Sequence, residues 1–416
     1  MVDKDLFLHD LSVVAILKDE APYLKEWLDY HLLAGVEHFY LYNNDSSDDY
    51  EKIVASYVQA GLVTSTNIPG KLSLFPAYTD AVKRFKFFSR YMAFIDLDEF
   101  IFPKTNQSIS EVVDEILSRD PNAAALSIHW QEFGSNGHEK ADYSRGVLER
   151  FTRRARKDFY GQFTDSRGNG HTLGNVHLKI VANPRLIKHS GSSHFMIYFE
   201  NFHAVDENCT PLNPTFASLP IVADKIAINH YRCKSKEEFE KKWRRGNATS
   251  YTINAEIFPH FDNNDEFDDG ILKYRATRAE NFSLESDGQR LDRVIEALVE
   301  NLSGAEISLE AALTCRALSS YFRERFPNDA EYWKICEEKS LEAILKLLNK
   351  FTPADAQLFI RELPNLLGLP YPAVKNLRAA AEQIILHLRH FARMKQDQLG
   401  YMALDYLQNI LKLMGG

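Results

Sequence analysis

The sequence predicts an α/β protein with a mixed, mostly parallel sheet, followed by an all-α region. Short apolar runs alternate with segments of helical spacing from Leu11 to Trp130, which is typical of right-handed βαβ units. The run Met92–Ile95 is apolar and aromatic and is too short for a helix, as expected of a strand buried on both faces. From about Leu291 onward, helical spacing dominates. These three observations set the predicted fold class.

The first part of the chain is predicted to alternate between strand and helix. Its first strand, Leu11–Leu17, is short and β-branched, and Pro22 suits the first turn of the helix Tyr23–Ala34, which ends before Gly35. Further strands are predicted at His38–Tyr42, Leu62–Ile68, Met92–Ile95 and Ala123–Trp130. Further helices are predicted at Tyr50–Ala60, Ala77–Phe88 and Ser110–Ser118.

The pattern changes twice after that. From about Gln131 to Asp224, Gly and Pro interrupt short apolar runs, which indicates loops and short, partly antiparallel strands. Ile226–His230 is predicted as a last buried strand, and Ser235 with Glu238 as the capping box of a helix that ends at Arg245. Six tail helices are predicted, at Leu291–Leu302, Leu309–Phe326, Asn328–Asn349, Pro353–Leu363, Tyr371–Arg393 and Gln396–Met414. We therefore expect one domain over residues 1–250, a linker over 251–290 and a helical region over 291–416.

Composition limits the classes of function. The chain has 416 residues, 45% of them hydrophobic, which suffices for one large core and a second region. A net charge of −9 argues against broad nucleic-acid binding, because that needs clustered Lys and Arg. The N-terminus lacks an apolar signal core and no run of about 18 apolar residues occurs, so we expect a cytoplasmic protein.

Polar clusters follow three of the predicted strands, at Lys18–Glu20, Asn43–Asp48 and Asp96–Glu99. The carboxyl ends of neighbouring parallel strands meet at one crevice, where open α/β sheets bind their ligands. Neither a G-x-G-x-x-G motif nor a P-loop motif follows the first strand, which argues against a dinucleotide-binding domain and a P-loop enzyme. Phosphates bound at this crevice would therefore need a cation.

Asp96 and Asp98 are the candidate ligands of that cation. They stand two apart at a predicted strand end, so both carboxylates are expected on one side, with Leu97 turned into the core. Such oxygen ligands hold a divalent cation together with substrate phosphates. The plainer alternative is a strand end whose acids cap the next turn or pair with an arginine. Basic residues available to neutralise phosphate are Lys83, Arg84, Lys234, Arg244 and Arg245.

Several motifs, in order along the chain, resemble those of a known enzyme family. They are K-D-E-x-P-Y-L-x-E-W from Lys18, F-I-D-L-D-E-F from Phe94, W-x-x-F-G-S-x-G-H from Trp130 and H-Y-x-x-K-S from His230. Over Leu11–Gly246 the chain resembles the GT-A glycosyltransferases of the bacterial family-2 and family-92-like group, once described as a domain of unknown function. The resemblance implies a GT-A fold for this part, and the helical tail lies outside it.

The same resemblance implies a nucleotide-sugar donor, UDP- or GDP-linked, a Mn²⁺ or Mg²⁺ ion, and a saccharide or glycolipid acceptor. It implies that Asp98 is a direct metal ligand, that Asp96 lies nearer the ribose and the metal waters, and that His230 is the third protein ligand. The residues implied in donor binding are Lys18, Glu20, Asn43, Asn44, Asp45, Arg84, Asp96, Lys234 and Arg245.

The expected reaction is a metal-dependent, inverting sugar transfer that serves polysaccharide assembly. An inverting reaction needs a general base within reach of the acceptor hydroxyl. Glu132 comes directly after the strand that ends at Trp130 and is the predicted base, with Asp142 and Glu149 as later candidates along the chain. Trp130 and Phe133 are expected to stack on the acceptor.

Other interpretations stay open from the residues alone. Glu20 is also explained by the dipole of the helix it precedes, Asn43–Ser46 by an Asx-type turn, and His230 by a core histidine. A nucleotidyl- or phosphotransferase would use the same acid pair with Glu99 as a further ligand. A scaffold protein would use the tail as its working part. Peripheral membrane association and homo-oligomerisation through the tail are further open alternatives.

Overall fold

The computed structural model describes residues 4–166, 168, 170–245, 257–276, 287–303, 309–325 and 330–348, together with isolated positions from Ile385 on. The predicted helices Pro353–Leu363, Tyr371–Arg393 and Gln396–Met414 lie outside the continuously described residues. The chain divides into two compact units. The first comprises Met1 and His9–Asp287, and the second comprises Val2–Leu8 and Gly288–Gly416.

The described strands all belong to the first unit. They are β1 His9–Leu17, β2 His38–Asn43, β3 Val63–Asn67, β4 Ser89–Phe94, β5 Glu99–Pro103, β6 Ala123–Glu132, β7 Arg153–Arg154, β8 Tyr160–Thr164, β9 Gly170–Gly174, β10 Leu178–Ala182, β11 Ile187–Ser190, β12 Met196–Tyr198, β13 His203–Val205, β14 Pro211–Leu212, β15 Ile226–His230 and β16 Glu266–Phe267.

Ten of these strands form one mixed sheet. Its main path runs β14-β13-β6-β10-β4-β1-β2-β3, and β15 pairs with both β5 and β6. The pairs β1/β2, β1/β4, β2/β3, β6/β13 and β6/β15 are parallel. Strand β10 is antiparallel to both of its neighbours, β4 and β6. The first four strands, in the order β3-β2-β1-β4, therefore end at the same edge of the sheet.

The described helices occur in both units. Those of the first unit are α1 Ala21–Leu33, α2 Tyr50–Gln59, α3 Leu74–Phe85, α4 Ile109–Leu117, α5 Val147–Arg150, α6 Lys236–Arg245, α7 Phe258–Phe261 and α8 Lys273–Ala276. Those of the second unit are α9 Asp287–Ser303, which begins one residue before the unit boundary, α10 Leu309–Arg325 and α11 Ala330–Leu348. The predicted fold class, a mixed and mostly parallel sheet with flanking helices and a helical region after it, is confirmed.

Helix α1 fixes the position of β5, which follows the acid pair. Trp27 Nε1 donates to the carbonyl of Glu99 at 2.8 Å, and the Tyr30 hydroxyl donates to the carbonyl of Ile101 at 2.8 Å. The Ile101 N–H donates to His31 Nε2 at 3.3 Å. Because β5 has a strand partner, β15, on one side only, these side chains of α1 satisfy backbone groups of β5 that would otherwise be buried without partners.

The second unit packs its helices through small and apolar side chains. Buried residues of α10 include Ala312 and Leu318, and buried residues of α11 include Trp333 and Ile344. No helix in the described ranges is long and apolar enough to cross a membrane.

Candidate active site

The loops after β1 and β2 are tied to each other at the carboxyl edge of the sheet. Asp19 accepts hydrogen bonds from the Ser47 N–H at 2.6 Å and from its hydroxyl at 3.0 Å, and the Ala21 N–H donates to Asp48 at 2.7 Å. Asp19 has a φ of +50°, in the left-handed region that non-glycine residues rarely adopt. Such backbone strain is concentrated at functional sites in proteins. The predicted meeting of these two polar clusters is confirmed.

The predicted donor residues Asn44 and Asp45 connect this edge to the loop before α3. The buried Asn44 amide donates to the carbonyls of Ile68 and Gly70 at 2.9 and 2.8 Å. Asp45, at a φ of +55°, accepts from the Gly70 N–H at 2.9 Å. Asn43 donates to Asn67 at 3.0 Å. The three side chains thus join the end of β2 and the loop after it to the end of β3 and the segment that follows β3.

Asp96 and Asp98 lie in a turn between β4 and β5, not in a strand. The expectation that strand alternation directs both carboxylates to one side is therefore wrong, although Leu97 is buried in the core as predicted. A turn lies here because Asp96 donates its N–H back to Glu99 at 2.9 Å, which closes the chain on itself. Each carboxylate then meets its own set of partners.

Asp96 is held by a lysine from the neighbouring strand. Lys179 of β10 is fully buried, and its Nζ lies 2.9 Å from Asp96 and 3.3 Å from Glu99. Burial raises the pKa of Glu99 to about 8, against the charge of Lys179. Burial likewise opposes the charge on Lys179, but the two acids raise the pKa of that amine above its ordinary value. The Asp96 carboxylate, 40% exposed, is thus fixed to the sheet while one side of it faces solvent.

Asp98 is buried and lies beside His230. His230 Nε2 is 3.6 Å from Asp98 Oδ2, and Lys242 of α6 forms an ion pair with the same oxygen. The Tyr231 N–H donates to the Asp98 carbonyl at 2.8 Å, which joins the turn to the end of β15. Burial alone would raise the pKa of Asp98, but Lys242 and His230 hold it well below its usual range. Burial lowers the pKa of His230 to about 3, so the imidazole is neutral at pH 7.

A neutral imidazole and an ionised carboxylate on one edge fit a divalent cation such as Mn²⁺. Asp96, expected nearer the ribose and the metal waters, forms an ion pair with Lys179. Among the described residues, no group of three or more His, Cys, Asp or Glu side chains is arranged to hold a metal ion. A cation bound at this pair would therefore have two protein ligands, Asp98 and His230, and its other coordination positions would be open to the oxygens of a substrate.

Glu132 ends β6 next to this pair, because the parallel register of β6 and β15 sets His230 beside Glu132. Its side chain is 3% exposed, and within the described part of the chain neither carboxylate oxygen has a hydrogen-bond partner. Burial raises its pKa, and the charge of Arg232, whose Nη2 lies 3.8 Å away, acts against that shift. The other candidate bases are solvated: Asp142 bonds to Ser144, and Glu149 pairs with Arg145 at 3.3 Å.

An aromatic platform centred on Trp130 lies beside His230, and sequence reasoning found only part of it. Trp130 lies 4.2 Å from the ring of His230 and 4.5 Å from the ring of His177, measured between ring centroids. The Arg232 guanidinium lies 5.0 Å from the Trp130 ring and 4.2 Å from the Phe261 ring. Neither His177 nor Arg232 was predicted, because His177 lies in none of the quoted motifs and Arg232 stands at an unspecified position of the H-Y-x-x-K-S motif. The two-residue spacing from His230 to Arg232 was the one available signal that both face the same side.

A cleft of about 210 Å³ opens beside Lys242, the ion-pair partner of Asp98. Its lining includes Glu20, Tyr23, Lys234, Lys242 and Arg245.

Lys234 is 4% exposed and has a φ of +48°. Its ammonium lies 4.3 Å from the centroid of the Tyr23 ring, and no described carboxylate forms an ion pair with it. Burial lowers its pKa, against the charges of Asp98 and Glu20. Arg245 pairs with Glu20 and donates to the Asp19 carbonyl at 2.6 Å. The cleft therefore presents positive charge at its floor.

Six of the nine predicted donor residues are not among those lining this cleft: Lys18, Asn43, Asn44, Asp45, Arg84 and Asp96. Lys18 directly follows β1 and is partly exposed. Arg84 lies on α3, where it donates to Asp80 at 3.1 Å and to Thr66 at 3.3 Å. The described contacts bring Asp98, His230, Glu132, Glu20, Lys234 and Arg245 to one edge, with Arg84 on the flank of the sheet.

Comparisons with known proteins give a family match over most of the first unit. The family model of glycosyltransferase family 92 matches residues 14–265, more than half of the chain. A family 92 protein of Ricinus communis is 25% identical over 244 residues, which are 58% of this chain and 38% of that protein. A family 92 protein of Oryza sativa subsp. japonica is 28% identical over 145 residues, 35% of this chain and 24% of that protein. The match thus spans less than half of the length of these plant relatives.

Among solved structures, TarS 1–349 of S. aureus in complex with UDP is similar, with 13% sequence identity and a TM-score of 0.30. The alignment covers 97% of this chain and 91% of that one. The match to the family model begins within β1, contains β2–β15 with the acid pair, His230 and Glu132, and ends just before β16. The chain belongs to glycosyltransferase family 92.

Proposed function

We propose that this chain transfers a sugar from a nucleotide-sugar donor, a UDP- or GDP-sugar, to a hydroxyl of a saccharide or glycolipid acceptor. Membership of family 92 supports the reaction class. The observation that carries the proposal is the meeting of three side chains from distant segments: His230 lies 3.6 Å from Asp98 and is the strand partner of Glu132. The Asp98–His230 pair could hold a cation that stabilises a charged leaving group. The desolvated Glu132 carboxylate at the same edge is suited to act as a general base.

The donor would bind with its diphosphate against the positive floor of the cleft. Lys234 is buried there and has no described carboxylate partner, so a phosphate oxygen would satisfy its ammonium. Arg245 and Glu20, already paired, would form the wall on the nucleoside side. Fixed charges of this kind stabilise a diphosphate leaving group because they need no reorganisation during the reaction.

Asp98 and His230 would hold a Mn²⁺ or Mg²⁺ ion at the diphosphate. When bound, such an ion supplies Lewis-acid stabilisation of the charge on the leaving group. Asp96 would act beside it through the position that Lys179 gives its carboxylate, with its exposed side towards the ribose.

Glu132 would be the general base of an inverting reaction. The acceptor hydroxyl attacks the anomeric carbon, the bond from that carbon to the diphosphate breaks, and the hydroxyl proton passes to the Glu132 carboxylate. Burial and the lack of hydrogen-bond partners favour this role, because they raise the proton affinity of the carboxylate. Arg232 keeps a positive charge 3.8 Å from it, which supports the ionised form before the reaction.

The nucleotidyl- or phosphotransferase alternative is not favoured. It would need Glu99 as a further metal ligand, but Glu99 is fully buried and its carboxylate contacts Lys179 and the Asp96 N–H. A cation at Glu99 would have to enter a fully buried position beside the positive charge of Lys179.

The proposal is tested by ligand-induced stabilisation followed by turnover. We expect UDP- or GDP-sugars with Mn²⁺ to raise the melting temperature, because a ligand that binds only the native state stabilises it. We expect Asp98→Asn to remove the effect of Mn²⁺ and to abolish sugar transfer and donor hydrolysis. Asp158→Asn, at an exposed aspartate outside the site, is the matched control and should behave as the wild type.

Two outcomes would overturn it. Stabilisation by nucleoside triphosphates but not by nucleotide sugars would favour the nucleotidyltransferase. No stabilisation by any nucleotide would favour the scaffold interpretation.

A further inference from the structure

Lys242 occupies an unusual position beside the acid–imidazole pair. Its ammonium contacts Asp98 Oδ2, the same oxygen that lies 3.6 Å from His230 Nε2. Asp98 is 5% exposed, so its negative charge needs a positive partner nearby. In this structure that partner is Lys242.

A divalent cation held by Asp98 and His230 would need this oxygen too. Two positive charges a few ångströms apart in a buried site repel each other strongly. Lys242 and the cation would therefore compete for Asp98. The Lys242 ammonium can move from Asp98 into the cleft, because the side chain is 27% exposed and lines the cleft together with Lys234 and Arg245.

We propose that Lys242 is a resident counter-ion of the cation site, which leaves Asp98 when the cation binds and then contacts the donor diphosphate. The proposal rests on the proposed function, because it assumes a cation at Asp98 and His230. In the cation-free protein Lys242 neutralises Asp98. In the loaded protein its ammonium, displaced into the cleft, meets the phosphate oxygens that approach the same place.

This exchange couples the two ligands. The cation alone must displace Lys242 into a cleft that already contains the positive charges of Lys234 and Arg245, which weakens cation binding. A nucleoside diphosphate supplies negative charge for the displaced lysine, so each ligand strengthens the binding of the other by the same factor. The site is thereby kept from binding cation tightly before donor is present.

The test measures binding of Mn²⁺ alone, from the loss of the free-ion EPR signal, with and without UDP or GDP. We expect weak Mn²⁺ binding by the wild type that UDP or GDP strengthens by about tenfold or more. In Lys242→Met, we expect Mn²⁺ alone to bind about tenfold tighter and the strengthening by nucleoside diphosphate to shrink. We also expect the melting temperature of this variant to fall in EDTA and to recover with Mn²⁺, because Asp98 then lacks its counter-ion.

Lys236→Met is the matched control. Lys236 begins the same helix, is 49% exposed and pairs with Glu139 at 3.6 Å, so its loss should leave Mn²⁺ affinity unchanged. If Lys242→Met does not fold, Lys242→Gln serves in the same titration, since it keeps a polar side chain without the charge. Equal Mn²⁺ affinity of the wild type and the Lys242 variant would overturn the proposal, as would absence of Mn²⁺ binding by the wild type with UDP or GDP.

The two proposals fail separately. Coupled Mn²⁺ and nucleoside diphosphate binding without sugar transfer would leave the role of Lys242 standing and contradict the proposed reaction. Sugar transfer by a wild type whose Mn²⁺ affinity does not depend on Lys242 would do the reverse.

Discussion

Glu132 is the subject of the first prediction at the residue scale. Burial of a carboxylate without hydrogen bonds costs free energy, so its presence indicates a functional role. Glu132→Gln keeps the shape of the side chain and removes its ability to take a proton. We expect kcat for sugar transfer to fall by about 10²- to 10⁴-fold, with little change in the Kd for nucleoside diphosphate. Steady-state kinetics and calorimetric titration measure these two quantities.

A partly exposed acid provides the control for that substitution. Glu149 pairs with Arg145 on the surface, and Glu149→Gln should leave both kcat and Kd unchanged. Unchanged kcat in Glu132→Gln would assign the base elsewhere.

Helix α6 is the element that sets the positive side of the cleft, since it carries Lys242 and Arg245. Its start is held by the predicted capping box: Glu238 donates its N–H to the Ser235 hydroxyl, and the Ser235 N–H donates to the Glu238 carboxylate at 3.0 Å. That carboxylate is also bound by Arg150 at 2.8 and 3.0 Å in a fully buried pair.

Ser235→Ala should therefore affect both stability and function. We expect a loss of about 1 kcal/mol in the free energy of unfolding, the usual cost of an N-cap, and weaker binding of nucleoside diphosphate because α6 loses its fixed start. Ser108→Ala is the comparison, since Ser108 caps α4 through the same kind of box away from the cleft. It should cost a similar free energy, measured by urea unfolding, and leave nucleotide binding unchanged. Equal binding losses in the two variants would contradict a local role for α6.

At the scale of the whole molecule, buried histidines predict how stability depends on pH. Burial lowers the pKa of His31 to about 3 and that of His177 to about 4, and it holds the pKa of His194 well below the ordinary range. In the unfolded chain histidine takes up a proton below about pH 6.5. Between these values the unfolded state binds more protons than the folded state, so stability falls as the pH falls from about 6.5 towards 4.

One substitution isolates the share of His31 in this effect. His31→Gln should flatten the pH dependence by up to about 1.4 kcal/mol per pH unit, while it lowers stability at neutral pH because the bonds to the Trp27 carbonyl and the Ile101 N–H are perturbed. His189→Gln, at an exposed histidine, should leave the slope as in the wild type. Urea unfolding at several pH values measures the slopes, and an unchanged slope in His31→Gln would show that another group titrates.

Much of the fold was predictable because local patterns suffice for strands and helices. The strand Ile226–His230 is observed with the predicted ends, and α6 begins after its predicted cap, Ser235. Helix α4 covers Ile109–Leu117, one residue before the predicted Ser110–Ser118, and its cap, Ser108, was not predicted. Helix α3 begins at Leu74, three residues before the predicted start at Ala77. Its first turn contains Pro76, because proline is tolerated at the start of a helix. The predicted helix ended at Phe88, whereas α3 ends at Phe85 and β4 begins at Ser89.

The residue types of the candidate site, and the edge of the sheet where they lie, followed from the sequence by itself, because neighbouring parallel strands end at the same edge and burial of carboxylates there is costly without a binding partner or a functional role. Only the tertiary structure decided which partner each acid has. Lys179 and Lys242 come from a strand and a helix far along the chain, so no local pattern could show that one holds Asp96 and the other Asp98. The same is true of Glu132 and His230, which become neighbours only through the register of β6 and β15.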